Sequence, residues 1–371
     1  MSSPEKILVR GVNWLGDAVM TTPALQRLRE AKPGAHITLL THAKLAGLWE
    51  RHPAIDSVLT FSDDDGAFPV AKKLRAEKFT TAVVLPNSPR SALEVFLAGI
   101  PARIGLARPW RNFFLTQAVP PRREEVRMHK RTAAEVQSLL AGSGVPAHPA
   151  IPSSAHQLHH YLHLVAAMGA NPAPIAPRLE VSAAEVAAIR NRFGAAEDGS
   201  PLLGINAGAE YGPAKRWPRE RFVATAIEIQ RRTNCRWWIF GGRADMELAT
   251  GVADEIAAAK AGAAGSVRSI AGQTSLRELC AALKACRLVI TNDTGPMHVA
   301  AAVGTPVIVP FGSTSPELTG PGLPGETTHQ FIKANVPCSP CFLRECPIDF
   351  RCMKGIGVDT IVSAAMRVLG V

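Results

Sequence analysis

Asp17 closes the segment Arg10-Gly-Val-Asn-Trp-Leu-Gly-Asp17, which directly follows the apolar run Ile7–Val9. A glycine-containing loop between a strand and a helix lies at the carboxyl edge of a sheet. α/β proteins bind their ligands there. The segment is neither a Walker A loop nor G-x-G-x-x-G. A carboxylate at that helix start points into the crevice, or it caps the helix and complements its dipole. The local residues leave both readings open.

Two further segments suit an anion. In Asn206-Ala-Gly-Ala-Glu-Tyr-Gly-Pro-Ala-Lys-Arg-Trp-Pro218 a small-residue turn exposes backbone N–H groups, and Lys215 and Arg216 add positive charge. A surface loop with solvated charges is the plainer reading. In Thr291-Asn-Asp-Thr-Gly-Pro-Met-His298, Pro296 fits the first turn of a helix and Gly295 permits close approach. The amides from Thr294 to Met297 and the Thr294 hydroxyl can hold a phosphate there. His298 is a donor to the same anion or a core histidine. Asp245, in Gly241-Gly-Arg-Ala-Asp245, is placed to accept ribose hydroxyls or to cap the next helix.

Two clusters raise the question of a metal. Cys338, Cys341, Cys346 and Cys352 follow the spacing C-x₂-C-x₄-C-x₅-C, which suggests structural zinc or an iron–sulfur cluster. Disulfides or free thiols remain alternatives. His156/His160 and His159/His163 are i,i+4 pairs without an acidic third ligand, and read as a polar helix face.

These motifs need rigid elements behind them. Ile7–Val9, Ile37–Leu40 and Ala82–Leu85 are expected as buried strands, with helices over Thr22–Ala31 and Ala67–Ala76. A second series has strands at Leu202–Asn206, Trp237–Phe240, Leu288–Thr291 and Val307–Val309. Its helices are expected over Arg219–Arg232, Ala244–Ala259, Ser275–Ala285 and Pro296–Ala302. Such alternation argues for parallel βαβ units. The proline-rich stretch from Gly169 to Pro177 cannot lie inside a helix or a central strand. It divides the chain into an N-terminal domain, 1–175, and a C-terminal domain, 176–355. The stretch 356–371 is a terminal helix, with Asp359 as its N-cap.

The 371 residues suffice for two domains, and 47% hydrophobic content against 19% charged excludes disorder as the main state. The net charge of +10 admits nucleic acid, an anionic membrane surface or a phosphorylated substrate. It is uneven. Residues 1–177 hold 20 Lys/Arg and 13 Asp/Glu, or +7 of the total. Eight basic residues lie between Arg103 and Arg131, with only Glu124 and Glu125 as acids. No apolar run reaches the ~18 residues needed to span a bilayer. The opening residues leave no room for a signal peptide, so a cytoplasmic protein with reduced cysteines is expected. Cys235, Cys280 and Cys286 read as core.

Taken together, the segments resemble glycosyltransferase family 9, the ADP-heptose:lipopolysaccharide heptosyltransferases, over nearly the whole chain. Gly-Asp-Ala-Val-Met-Thr-Thr-Pro-Ala-Leu (16–25) is similar to the N-terminal signature of the family. Asn-Asp-Thr-Gly-Pro-Met-His-Val-Ala-Ala-Ala (292–302) is similar to its C-terminal one. Gly-Ala-Glu-Tyr-Gly-Pro-Ala-Lys-Arg-Trp-Pro (208–218) resembles the type II version, and Cys-Ser-Pro-Cys (338–341) recurs in some type II members. The resemblance implies an α/β protein of the GT-B fold, two Rossmann-like domains facing a central cleft, with the terminal helix returning to the N-terminal domain. It implies inverting transfer of heptose from ADP-heptose to the heptosyl-Kdo inner core on lipid A, at the cytoplasmic face of the inner membrane.

Residue by residue, the resemblance makes Asp17 the general base. Lys215, Thr294, Gly295, Met297 and His298 fall at the donor phosphates, Asp245 at the ribose and Thr274 at adenine. Asp293 orients the phosphate loop or meets the heptose. Acceptor contacts fall to Asn13 and Trp14, and to Arg103, Arg108, Arg111, Arg122, Arg123 and Arg127 toward carboxylates and lipid phosphates. Lys130 and Arg131 complete that basic stretch. Trp110, Phe113 and Phe114 touch the membrane interface or belong to the core. Protein cations replace Mg²⁺ in this scheme, so no cofactor is required. Rival readings are a type I or type III activity and a nucleotide-sugar epimerase. The epimerase would need a second acid pair, which is not evident. A nucleic-acid role lacks any recognisable helix-turn-helix, RRM or OB pattern.

Overall fold

The computed structural model describes residues 5–126, 128–142, 151–195 and 199–371. Arg127 and the first four residues, on which two of the expectations above rest, lie outside them. The chain divides into two units. The first comprises Met1–Glu125 with Ser154–Glu180, the second Val126–Ser153 with Val181–Val371.

The first unit is built on six strands: β1 (Lys6–Arg10), β2 (His36–His42), β3 (Ser57–Phe61), β4 (Thr81–Val84), β5 (Ala102–Leu106) and β6 (Gln117–Val119). They pair in the order β3-β2-β1-β4-β5-β6, all parallel. β1 sits centrally, with Val9 opposite Leu39 on one side and Val83 on the other. Its continuous apolar run reflects helices covering both faces. The second unit repeats the plan with β7 (Leu202–Asn206), β8 (Arg236–Ile239), β9 (Val267–Ser269), β10 (Leu288–Thr291), β11 (Val307–Phe311) and β12 (Gln330–Lys333). Their order is β9-β8-β7-β10-β11-β12, again all parallel.

Both sheets therefore reverse strand order at one place, between β1 and β4 and between β7 and β10. At such a switch point the connections leave in opposite directions and open a crevice beyond the carboxyl ends. The loops after β1 and β4, and after β7 and β10, flank these two crevices. Asp17 lies in the first turn of the helix that follows the first of these loops, and Lys215 and Thr294 lie on the other pair.

Every expected strand forms. The missed strands are β3, β5, β6, β9 and β12, of which all but β5 are sheet edges. The proline-rich segment belongs to the first unit, which runs on to Glu180 rather than ending at 175. The Arg27 guanidinium donates to the Ala173 carbonyl at 3.1 Å, and the Arg178 N–H to the Thr22 hydroxyl at 3.1 Å. These bonds hold the segment against the helix Thr22–Ala31.

The terminal helix, Val358–Leu369, also departs from expectation. Its apolar side, Ile361, Val362, Ala365, Met366 and Leu369, joins the core of the second unit, against the helix Arg219–Thr233. Residues at i, i+4 and i+8 form one stripe that this core buries. Gly357 is the N-cap, and Asp359 lies inside the first turn. The Arg287 guanidinium donates to the Leu369 carbonyl at 2.9 Å, a cation at the negative end of the helix.

Candidate functional site

In the first unit, Asp17 is the third residue of the helix Leu15–Met20 and is half-buried. Trp14 occupies the cap position without a capping side chain, so Asp17 sits in the first turn and is not itself the cap. Buried Tyr161 lies within the electrostatic reach of Asp17. Burial first, and then the Asp17 charge, push the Tyr161 phenol well above its usual range. Asn13 and Trp14 are exposed. The Asn13 carboxamide oxygen accepts from Arg10 at 3.1 Å, and the Lys44 ammonium stands 5.7 Å from the Trp14 ring centre.

Arg10 and Glu94 form a buried ion pair that the sequence reading missed. Arg10 Nε donates to Glu94 Oε2 at 2.8 Å, and Arg10 Nη1 to the Gly11 carbonyl at 2.6 Å. Arg90 shares the other Glu94 oxygen at 3.1 Å. Arg10 thereby ties the end of β1 and Asn13 to the helix Pro89–Leu97. The only sequence signal is a charge ending an apolar strand and another inside an apolar helix face. Glu94→Ala leaves the Arg10 guanidinium buried without its anion, and should cost about 3–5 kcal/mol in denaturant unfolding. A cost below about 1 kcal/mol would remove the pair from the support of this loop.

The basic segment does not form one free patch. Arg111 is fully buried and donates to the Pro86 carbonyl at 2.7 Å, and desolvation pulls its pKa down to about 10. A Cβ at Gly105 would lie 2.8 Å from Arg111 Nη2, so glycine makes room for the guanidinium. Arg103 is held by the Phe114 and Ile100 carbonyls at 2.8 and 2.5 Å. Arg108 pairs with Glu125 at 2.6 Å, and Arg122 donates to the Ser154 carbonyl at 2.6 Å. Arg123 is exposed. Arg131 belongs to the second unit, donating to the Cys341 and Pro337 carbonyls at 3.0 and 3.2 Å. Trp110 and Phe113 are 89% and 80% exposed, so the core alternative does not hold for them. His156 and His160 are buried, whereas His159 and His163 are half-exposed, so only the second pair lies on a polar face.

In the second unit the loops after β7 and β10 are joined by side chains. Asn292 donates to the Ala207 carbonyl at 2.7 Å and accepts the Trp217 N–H at 2.9 Å. Lys215 Nζ lies 2.6 Å from Asp293 Oδ2, and the Thr314 hydroxyl donates to the same oxygen. Asp293 is buried, so it orients Lys215 from beneath. Lys215 also stands 4.9 Å from the Tyr211 ring centre.

Thr294 caps the helix Gly295–Ala302 without a capping side-chain bond. Pro296 has no N–H, and the Met297 N–H donates to the Thr294 carbonyl at 3.1 Å. The first-turn amides suited to an anion are therefore those of Thr294 and Gly295. The Met297 and His298 side chains are buried, which gives them supporting positions.

Asp245 is the N-cap residue of the helix Met246–Ala258, and its Oδ2 accepts the Gly242 N–H at 3.1 Å. A Cβ at Gly208 would lie 2.6 Å from Asp245 Oδ1, so the carboxylate rests against the β7 loop. Thr274 is half-buried, just before the N-cap Ser275 of the helix Leu276–Ala285. Lys215, Asp293, Thr294 and Asp245 thus stand on loops at the carboxyl ends of β7, β10 and β8. Together they offer a cation, helix-start amides and a hydroxyl acceptor, the chemistry of a nucleoside diphosphate.

The profile of glycosyltransferase family 9 (heptosyltransferase) matches residues 68–350. The Escherichia coli (strain K12) lipopolysaccharide heptosyltransferase 2 is 30% identical over 325 residues, spanning 85% of each chain. The Haemophilus ducreyi lipooligosaccharide heptosyltransferase 2 is 29% identical over 327 residues, 85% of this chain and 86% of that one. The structure of the E. coli ADP-heptose lps heptosyltransferase II superposes with a TM-score of 0.74 at 26% identity, covering 98% of both chains. A family 9 glycosyltransferase from Veillonella parvula shares the fold, with a TM-score of 0.77 at 22% identity, covering 100% of this chain and 98% of that one.

Proposed function

Since the chain belongs to glycosyltransferase family 9, we propose that it transfers heptose from ADP-heptose to the heptosyl-Kdo inner core of lipopolysaccharide, with inversion. The observation that carries this reading is the Lys215–Asp293 pair beside the Thr294 helix start, at the switch point of the second sheet.

Asp17 takes the proton from an acceptor hydroxyl, and that oxygen attacks the anomeric carbon. The bond from that carbon to the β-phosphate oxygen breaks, and ADP departs with the electron pair. Lys215 and the amides of Thr294 and Gly295 meet the charge that grows on the diphosphate. Asp245 accepts from the ribose hydroxyls, and Thr274 lies toward adenine. Protein cations serve the leaving group, so the chemistry itself calls for no cofactor.

The acceptor is an anionic glycolipid, and we place its approach at the inner-membrane surface. No described helix is long and apolar enough to cross a membrane. Contact is instead peripheral, through exposed Trp110 and Phe113. Phe113 packs with Phe96 and Phe114 at ring centroids 5.9 and 5.7 Å away. Trp110 has φ 66°, a left-handed conformation rare for a bulky residue, and extends its ring into solvent.

The test is transfer from ADP-heptose to Kdo-lipid A, heptosyl-Kdo-lipid A and diheptosyl-Kdo-lipid A, with GDP- and UDP-sugars as controls. Turnover on the monoheptosylated acceptor alone is the expected result. Preference for the unheptosylated or diheptosylated acceptor would reassign it to a type I or type III activity. Preference for another nucleotide sugar would remove ADP-heptose as donor.

A further inference from the structure

The four C-terminal cysteines take no part in the proposed reaction, yet they gather at one place. We propose that Cys338, Cys341, Cys346 and Cys352 bind a single thiophilic divalent ion, zinc or ferrous iron. The ion would fasten the loop that backs Lys215.

All four cysteines are free, and together they line one cavity of about 10 Å³. That is room for a body of about the size of one water, too little for an organic ligand. The sulfurs lie within electrostatic range of one another, Cys352 sensing the other three. The cavity wall also holds the Ser313 hydroxyl, which is buried and has no hydrogen-bond partner. A thiolate held on an ion would give that hydroxyl its acceptor.

A backbone donor already points at sulfur: the Phe350 N–H donates to Cys346 Sγ at 3.3 Å. Four thiolates around a divalent ion carry a net charge of −2. Arg351 lies within reach of Cys338 and Cys346, and Arg131 of Cys341, so two cations offset it. As placed, no three of the sulfurs converge on one point. Ligation at about 2.3 Å therefore needs side-chain rotations about Cα–Cβ, which the staggered rotamers of cysteine provide.

The loop between these cysteines is the floor of the Lys215 loop. The Ala214 N–H donates to the Arg344 carbonyl at 3.0 Å, and the Tyr211 hydroxyl to the Phe342 carbonyl at 2.9 Å. The Arg344 guanidinium stands 5.0 Å from the Tyr211 ring centre, the same ring that faces Lys215. Gly212 has φ 153°, and a Cβ there would lie 2.5 Å from the Arg344 carbonyl oxygen. An ion drawing the four cysteines together would hold this floor in place. Only that consequence rests on the proposed donor site; the ion site stands apart from it.

The experiment is elemental analysis of full-length protein purified under reducing, anaerobic conditions and dialysed against EDTA. About one equivalent of zinc or iron per chain is expected. Cobalt-loaded protein should show thiolate-to-cobalt charge-transfer absorption. Cys346→Ser/Cys352→Ser should lose both signals. Stripping the ion should weaken ADP binding at least about fivefold, as a loosened floor no longer holds Lys215. Unchanged ADP binding would overturn the consequence for Lys215 and leave the ion site standing. The site itself is overturned by less than about a tenth of an equivalent of metal with all four thiols open to a thiol reagent in the folded protein. A disulfide among the four, or acid-labile sulfide indicating a cluster, would also overturn it.

Discussion

Asp17→Asn is expected to lower transfer by about 10²–10⁴-fold while ADP binding stays unchanged. The change preserves shape and removes only the ability to accept a proton. Asp17 lies in the first turn of the helix Leu15–Met20, just beyond the carboxyl end of β1. The proposed donor-binding groups stand on loops of the other sheet, so nucleotide affinity should be independent of it. Transfer assays paired with calorimetric ADP titration check both halves. A loss smaller than about tenfold would take the base role from Asp17.

The second large effect is at Lys215. Lys215→Ala removes the cation proposed to meet the leaving diphosphate and should cost about 10²–10³-fold in kcat/KM, with weaker ADP binding. It also strands the Asp293 carboxylate, which is buried and would keep only the Thr314 hydroxyl of its two partners described above. Stability should therefore fall, by about 3–5 kcal/mol if the carboxylate stays charged. The two consequences can be separated. Adding Asp293→Asn removes the stranded charge, so the double variant should recover the unfolding midpoint without recovering transfer. Recovery of transfer would make Lys215 only a structural counterion. Lys215→Arg should not substitute fully, because a larger planar guanidinium cannot reproduce the compact point charge held 2.6 Å from Asp293 Oδ2.

The two predictions differ in how visible their residues were beforehand. The Asp17 loop and the Thr294 helix start follow strands of continuous apolar residues. Local chain order therefore places them at sheet ends. Lys215 was readable as a cation on a small-residue loop, but its partner Asp293 is 78 positions away in the chain. Only pairing of β7 with β10 brings them to 2.6 Å. The edge strands β3, β6, β9 and β12 escaped notice for a related reason. An edge strand is covered less completely, so its residues carry a weaker apolar run.

The basic segment shows how far composition can mislead. Eight cations within 29 residues suggested a surface for anions. Arg103, Arg108, Arg111 and Arg122 are instead held by carbonyls and by Glu125 within the first unit. A guanidinium has five donors, and carbonyls freed at strand and helix ends accept them as readily as a ligand would. Charge count is a property of the chain; charge availability depends on what folds against it.

Chain order alone is enough for the two parallel α/β halves, the segments that carry Asp17, Lys215, Asp245 and Thr294, and the spacing of the four C-terminal cysteines. These depend on local periodicity, turn residues and short-range order. The tertiary structure alone decided where the terminal helix docks, which arginines are engaged, and that Asp293 and Thr314 hold Lys215. It also decided that the cysteine loop underlies that lysine. Each of these is a contact between residues far apart in the chain. Such contacts are set by which apolar faces bury together and which polar groups then need partners.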